Sequence, residues 1–232
     1  MKLVLFDIDG TLLLSDGAGR RAIMRALREV FGSTGPEDYH FDGKTDPQIV
    51  RELMRLAGHT DVRIDADMER LLTRYITCLH EELRAPGKRA YTLPGVPELL
   101  DALEREAGVV LGLLTGNLRQ GALAKLDAVG LDAGRFRVGA YGSDHEQRPE
   151  LPAVALARAR VELGYTFSGD AVIVIGDTPA DLTCGRGVGA RAIGVATGRY
   201  AVEELQQHEP LAVFEDLSRT DAVVRAIVGA RE

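Results

Sequence analysis

Tryptophan is absent from the 232 residues, cysteine occurs only at Cys78 and Cys184, and lysine only at Lys2, Lys44, Lys88 and Lys125. Two thiols that far apart, neither in a CxxC pair, indicate neither a disulfide framework nor a zinc knuckle, and a reducing compartment fits best. Neither staple is needed, because a chain of this length buries roughly 70% of the surface it exposes when unfolded. Positive charge is in deficit as well: 28 basic against 35 acidic side chains give a net charge of -7, with no Lys/Arg-rich run. That balance argues against a grip on a phosphate backbone, so nucleic acid is not an expected partner. No stretch approaches the ~18 apolar residues of a membrane span, and the apolar start Leu3-Val4-Leu5-Phe6 meets Asp7 too early for a signal peptide. What remains, 45% hydrophobic and 27% charged residues, is the composition of a globular protein, expected in the cytoplasm as a monomer or small homo-oligomer.

Short runs rich in Val, Ile and Leu alternate with longer segments of helical periodicity, the signature of a parallel sheet covered on both faces. The runs are Lys2–Phe6, 109–114, 137–141, 171–175 and 192–196, with a weaker sixth at Ala212–Phe214. Helices are expected at 96–107 after Pro94-Gly95, at 118–129 before Gly130, and at Leu151–Leu163 before Gly164. Between the first two runs lie about a hundred residues, far more than one crossover helix requires. Apolar spacing of three and four predicts three more helices there, Ala18–Phe31, 46–57 and 66–84, stopped by Gly32, Gly58 and Pro86-Gly87. The expected fold class is α/β, with residues 1–15 and 89–232 as a parallel-sheet core and residues 16–88 as a helical insert.

Three short motifs lie at the carboxyl ends of these runs, where parallel sheets place ligands. Asp7 and Asp9, in Phe6-Asp7-Ile8-Asp9-Gly10-Thr11, follow the first run directly. Two acids so placed repel each other unless a cation lies between them, and a hard ion such as Mg²⁺ takes carboxylate and water oxygens. For that motif alone, a polar strand end with an Asx turn at Asp9-Gly10 is the alternative. Asp177 and Asp181 follow the fourth run, in Ile175-Gly176-Asp177-Thr178-Pro179-Ala180-Asp181. Thr178 as N-cap, Pro179 at the first helical position and Asp181 three residues after the cap also read as a capping box, which accounts for Asp181 but not for Asp177. A carboxylate at a strand end opposite another pair of carboxylates is better explained by a shared metal. Thr115-Gly116-Asn117 ends the second run with a hydroxyl, a bare backbone and a helix N-terminus, which suit an anion or serve as cap and turn.

The order DxDGT, TGN, GDTxxD resembles the haloacid dehalogenase-like superfamily of hydrolases over nearly the whole chain, and within it the phosphoglycolate-phosphatase-like group, whose helical cap follows the first strand. The resemblance implies a Rossmann-like core with the cap at 16–88, and a Mg²⁺-dependent phosphatase acting on a small phosphorylated metabolite. It makes Asp7 the nucleophile that forms an aspartyl-phosphate, and Asp9 the acid/base that protonates the leaving oxygen and then activates water. It places Mg²⁺ on the Asp7 carboxylate, the Asp9 main-chain carbonyl and Asp177, with Asp181 bound directly or through water. Thr115, with backbone N–H groups around Gly116 and Asn117, would hold the transferring phosphoryl oxygens. The presence of Asp9 sets the chain apart from the dehalogenase branch. The sequence departs from the pattern once: no lysine lies between 126 and 177, and the basic role before the last catalytic strand falls by elimination to Arg148. Lys44, in the loop between the first two cap helices, is expected near the substrate's distal anionic group, and His40 could line the same side. A phosphomutase using the same intermediate and a non-catalytic phosphate-binding module are the alternatives.

Other signals carry less. Gly43-Lys44-Thr45 looks like the end of a P-loop, but Asp38 stands where that loop requires glycine. Gly187-Val188-Gly189 precedes a run instead of following one, and reads as a helix terminus rather than a dinucleotide fingerprint. Ser143-Asp144-His145 contains the residue types of a hydrolytic triad, yet three consecutive side chains cannot form its relay. His40, His59, His80, His145 and His208 include no pair at metal-binding helical spacing.

Overall fold

The computed structural model describes residues 1–87 and 89–229; residue 88, at the expected boundary of the insert, and residues 230–232 lie outside the described residues. Every run of the sequence lies within one residue of a strand: β1 (Lys2–Phe6), β4 (Val109–Thr115), β5 (Val138–Tyr141), β6 (Val172–Gly176), β7 (Arg191–Val195) and β8 (Ala212–Phe214). They form one parallel sheet in the order β5-β4-β1-β6-β7-β8. The side-chain period of two divides β1 between two cores. Val4 and Phe6 join Leu99, Leu126 and Val223 on one face, contributed by α4 (Val96–Arg105), α5 (Arg119–Ala128) and α9 (Thr220–Val228). Leu3 and Leu5 join Leu151, Ala155 and Cys184 on the other, from α6 (Leu151–Leu163) and α7 (Pro179–Cys184). A sheet covered on both faces has nearly all its strand residues buried, which is why these strands read as continuous apolar runs. The fold class is thus α/β and Rossmann-like.

Between the first two of these strands stand α1 (Ala18–Phe31), α2 (Asp46–Leu56) and α3 (Asp61–Arg84), which bury Ile23, Leu27, Ile49, Leu53, Leu71 and Tyr75 against one another and against Leu118 of the core. Helix α3 begins five residues earlier than expected from periodicity. Its start is set by Thr60, whose Oγ1 accepts the Arg63 N–H at 3.4 Å, and the first turn offers only Ile64 to the apolar face. Where the chain enters and leaves this insert, β2 (Leu13–Leu14) pairs antiparallel with β3 (Tyr91–Thr92). Strands of two residues are too short to show a period, and the sequence did not announce them. The short helix α8 (Val202–Gln206) and α9 were not anticipated either. The thiols of Cys78 and Cys184 are buried in separate clusters, one in the insert and one under the sheet. Among the described residues, no helix is long and apolar enough to cross a membrane.

Candidate active site

The register of the sheet builds the site. Phe6 pairs with Leu113 on one side and Ile175 on the other, so Asp7, Thr115 and Asp177 emerge at the same edge of three adjacent strands. The strand order turns back at β1, which opens a crevice at that edge. Asp7 N–H still donates to Ile175 O at 2.9 Å, so its backbone is held by the sheet while its side chain leaves it. The chain then turns at Gly10, which has φ 82°. A Cβ at Gly10 would also overlap the Asp177 carboxylate, so backbone conformation and space both require glycine there.

Asp7, Asp177 and Asp181 are buried, and one carboxylate oxygen of each lies within 4.8 Å of the others. Burial pushes the Asp7 carboxyl up to about 6; the Arg148 guanidinium opposes the rise, and Asp181 and Asp9 add to it. Asp177 is held well above the ordinary carboxylate range, first by burial and then by Asp181 and Asp7. Arg148, 4% exposed, places Nη2 at 3.1 Å from Asp7 Oδ1 and bonds Asp181 Oδ1 with the same nitrogen. Asp181 Oδ2 accepts from Thr178 N–H at 3.0 Å and from its hydroxyl at 2.7 Å, so the capping box is real and shares its carboxylate with the acidic cluster. Thr115 Oγ1 accepts from Asn117 N at 3.3 Å and Nδ2 at 2.8 Å, which leaves the hydroxyl proton free to be donated.

Asp7, Asp9, Thr115, Gly116, Asn117, Arg148, Asp177 and Lys44 all line one cavity of about 330 Å³ shared between the core and the insert, while Asp181 stands behind Arg148. The cluster is anionic, all-oxygen and buried, a donor set that fits a hard divalent cation.

The comparisons agree with this geometry. The family model of haloacid dehalogenase-like hydrolases matches residues 4–186. The chain belongs to the haloacid dehalogenase-like hydrolases. It is 29% identical over 235 residues to the N-acetylmuramic acid 6-phosphate phosphatase of Pseudomonas aeruginosa, covering 98% of this chain and 96% of that one. With the phosphoglycolate phosphatase of Pseudomonas fluorescens it shares 25% identity over 222 residues, 94% of this chain and 78% of the relative. A crystal structure of a hydrolase from Pseudomonas syringae superposes with a TM-score of 0.74 at 24% identity, covering 98% of this chain and 99% of the other, a likeness of fold.

In this hydrolase the end of the loop between α1 and α2 and the first residue of α2, Asp46, reach the core. Asp46 N–H donates to Gly116 O at 2.8 Å, and Asp46 Oδ2 accepts from Leu118 N–H at 2.8 Å. Burial pushes the Asp46 carboxyl up to about 6, and the nearby ammonium of Lys125 opposes that rise. A Cβ at Gly116 would overlap the Lys44 carbonyl oxygen, so the loop can sit on the core only over a bare backbone. Gly116→Ala is therefore expected to destabilise the protein by about 1–3 kcal/mol through overpacking. Hydrogen exchange should show the Asp46 and Leu118 amides exchanging faster in that variant; unchanged protection at both would remove this account of Gly116.

Lys44 lines the cavity, but its ammonium is already engaged with Glu52 at 2.6 Å and with the Tyr39 hydroxyl. His40 also lines the cavity, with Nδ1 2.7 Å from Arg199 Nη1. A second, more open cleft of about 750 Å³ lies outside, between Pro36, Tyr39, Leu56 and Arg199, and holds none of the clustered carboxylates. Ser143, Asp144 and His145 bond different partners: Ser143 Oγ accepts from Arg119 N–H, Asp144 pairs with Arg158, and His145 Nδ1 accepts from Gln147 N–H. Sequence reasoning missed Asp46, Tyr75 and above all Lys125, which is buried in the cavity wall. A signal for Lys125 existed: it occupies the buried stripe of α5 with Gly121, Ala122 and Leu126, where a lysine needs a reason.

Proposed function

We propose that the protein is a Mg²⁺-dependent phosphatase that hydrolyses small phosphomonoesters through an aspartyl-phosphate on Asp7. The observation that carries this reading is the buried trio Asp7, Asp177 and Asp181, of which Asp7 and Asp177 line one small cavity together with Arg148 and Thr115. The relatives named for two phosphorylated metabolites support the substrate class. Held by the Asp7 carboxylate, the Asp9 main-chain carbonyl and Asp177, with Asp181 bound directly or through water, Mg²⁺ would supply the charge that lets carboxylate and phosphate approach.

The chain's own residues do the rest. With its carboxyl at about 6, Asp7 is ionised at neutral pH, and Arg148 holds one of its oxygens in place. The Thr115 hydroxyl and the Gly116 backbone line the space where the phosphoryl oxygens would lie, and Arg148 adds positive charge there. Asp9, half-exposed at the mouth, would give its proton to the leaving oxygen and later take one from water. Closure of the insert over the site would keep bulk water out of the first transfer. The buried, unpaired thiols Cys78 and Cys184 support a reducing, cytoplasmic setting.

A panel containing phosphoglycolate, sugar phosphates, nucleoside monophosphates and an aryl phosphate tests the reading, with Mg²⁺ or excess chelator, for the wild type and Asp9→Asn. Chelator-sensitive phosphate release that Asp9→Asn abolishes on the alkyl esters is the expected result. An isomerised sugar phosphate without free phosphate would make the protein a mutase, and binding without turnover across the panel would make it a binding module.

A further inference from the structure

Lys125 is the buried charge that the mechanism above leaves unused. It is 3% exposed, and its Nζ lies 2.5 Å from Asp9 Oδ2 and 2.6 Å from Asn117 Oδ1. Asn117 in turn donates through Nδ2 to the same Asp9 oxygen at 2.8 Å. Asp9 Oδ2 therefore accepts two bonds, one of them from an ammonium, while among the described residues Oδ1 accepts none. An ammonium withdrawn from water is retained only where it is paired, and a carboxylate oxygen with two such donors is fixed in direction.

The surroundings of Lys125 come from all three helices of the insert. A Cβ on Gly19 of α1 would stand 3.2 Å from Nζ and 3.8 Å from the Tyr75 hydroxyl of α3. The Asp46 carboxyl of α2 is close enough to be pulled down by the ammonium, and by the Tyr75 hydroxyl less strongly. Lys125 thus joins the acid/base Asp9 to the underside of the insert, and a side chain at position 19 would crowd its ammonium.

We propose that Lys125 is the positioning residue of Asp9: with Asn117 it pins Oδ2, so that Oδ1 faces the ester oxygen and carries the proton. The assignment rests on the phosphatase reading and names the step that depends on it. As a carboxylate oxygen of Asp7 forms its bond to phosphorus, the bond from phosphorus to the ester oxygen breaks. That oxygen takes the proton from Asp9 Oδ1 and leaves as a neutral alcohol. Lys125 itself touches neither phosphorus nor the leaving group.

The role predicts a dependence on the leaving group that a structural or phosphate-binding lysine would not produce. An alkyl oxygen needs the proton as it departs; a nitrophenolate, already a stable anion, needs it far less. The test measures kcat/KM, which reports the first transfer, for the best alkyl ester of the panel and for p-nitrophenyl phosphate. In Lys125→Met the alkyl ester should lose about 30- to 100-fold and the aryl ester only several-fold, so that their ratio falls by about tenfold or more. Lys125→Gln, which keeps a donor without the charge, should fall between the two, and it carries the comparison if the Met variant does not fold in a thermal scan. Equal losses on both esters, or no loss on either, would overturn the assignment. A wild type that releases phosphate from neither ester would overturn the phosphatase reading, and this assignment with it.

Discussion

Asp7→Asn is expected to lower turnover by about 10⁴-fold or more while leaving the fold intact. The amide keeps the shape of the side chain but cannot attack phosphorus, and no other described carboxylate can replace it. Asp177 and Asp181 are held away from that role by Thr11 and by Thr178 with Arg148, and Asp9 points its Oδ2 at Lys125. Stability should change little. The variant removes a carboxyl that burial makes costly to ionise, and Arg148 keeps its bond to Asp181. Two measurements check this: phosphate release at saturating Mg²⁺, and intact-mass detection of phosphorylated protein after rapid acid quench. The wild type should show the phosphorylated species with its best substrate and the variant should not. An Asp7→Asn protein that turns over at the wild-type rate would remove the covalent mechanism.

The parts of this molecule that were legible in its sequence are those where one segment carries the whole signal. The runs ending in Asp7, Thr115 and Asp177 are buried on both sides, so hydrophobicity marked them, and the polar residue after each run marked the sheet edge. The capping box at Thr178 and Asp181 is local and could be read directly. Contacts that depend on two distant segments were not legible. Lys125 meets Asp9 across more than a hundred positions, and Asp46 meets Gly116 and Leu118 from another helix. The start of α3 was hidden for a different reason: Asp61, Val62 and Arg63 are exposed, so no apolar stripe announced a turn that Thr60 alone caps. Lys44 shows the converse, since its place at the cavity could be inferred but its pairing with Glu52, on the following helix, could not.

Arg148→Met should destabilise the metal-free protein by about 3–5 kcal/mol at neutral pH, the cost of leaving buried charges without their partner. Among the described residues Arg148 is the one cation bonded to both Asp7 and Asp181, and without it three buried carboxylates face one another. The loss should depend on pH, and its sign follows from the raised carboxyls. Below the ordinary value of 3.8, Asp7 is neutral in both the folded and the unfolded chain and contributes nothing. As pH rises, the unfolded chain releases a proton that the fold keeps until about 6, so stability falls across that interval and the penalty is complete above it. Asp177, held well above its ordinary value, extends the fall to higher pH. Removing the guanidinium deletes the influence that lowers Asp7 in the fold, so the upper end of that interval rises while the lower end stays at 3.8. The deficit in denaturant unfolding should therefore be small near about pH 5 and large near neutrality. Added Mg²⁺, which binds the ionised cluster of the folded state, should recover part of it at neutral pH and little in acid. Arg148→Lys keeps the charge but not the fork, and is expected to be intermediate in stability. An Arg148→Met protein as stable as the wild type at neutral pH without Mg²⁺ would mean that the cluster is far better hydrated than its burial indicates.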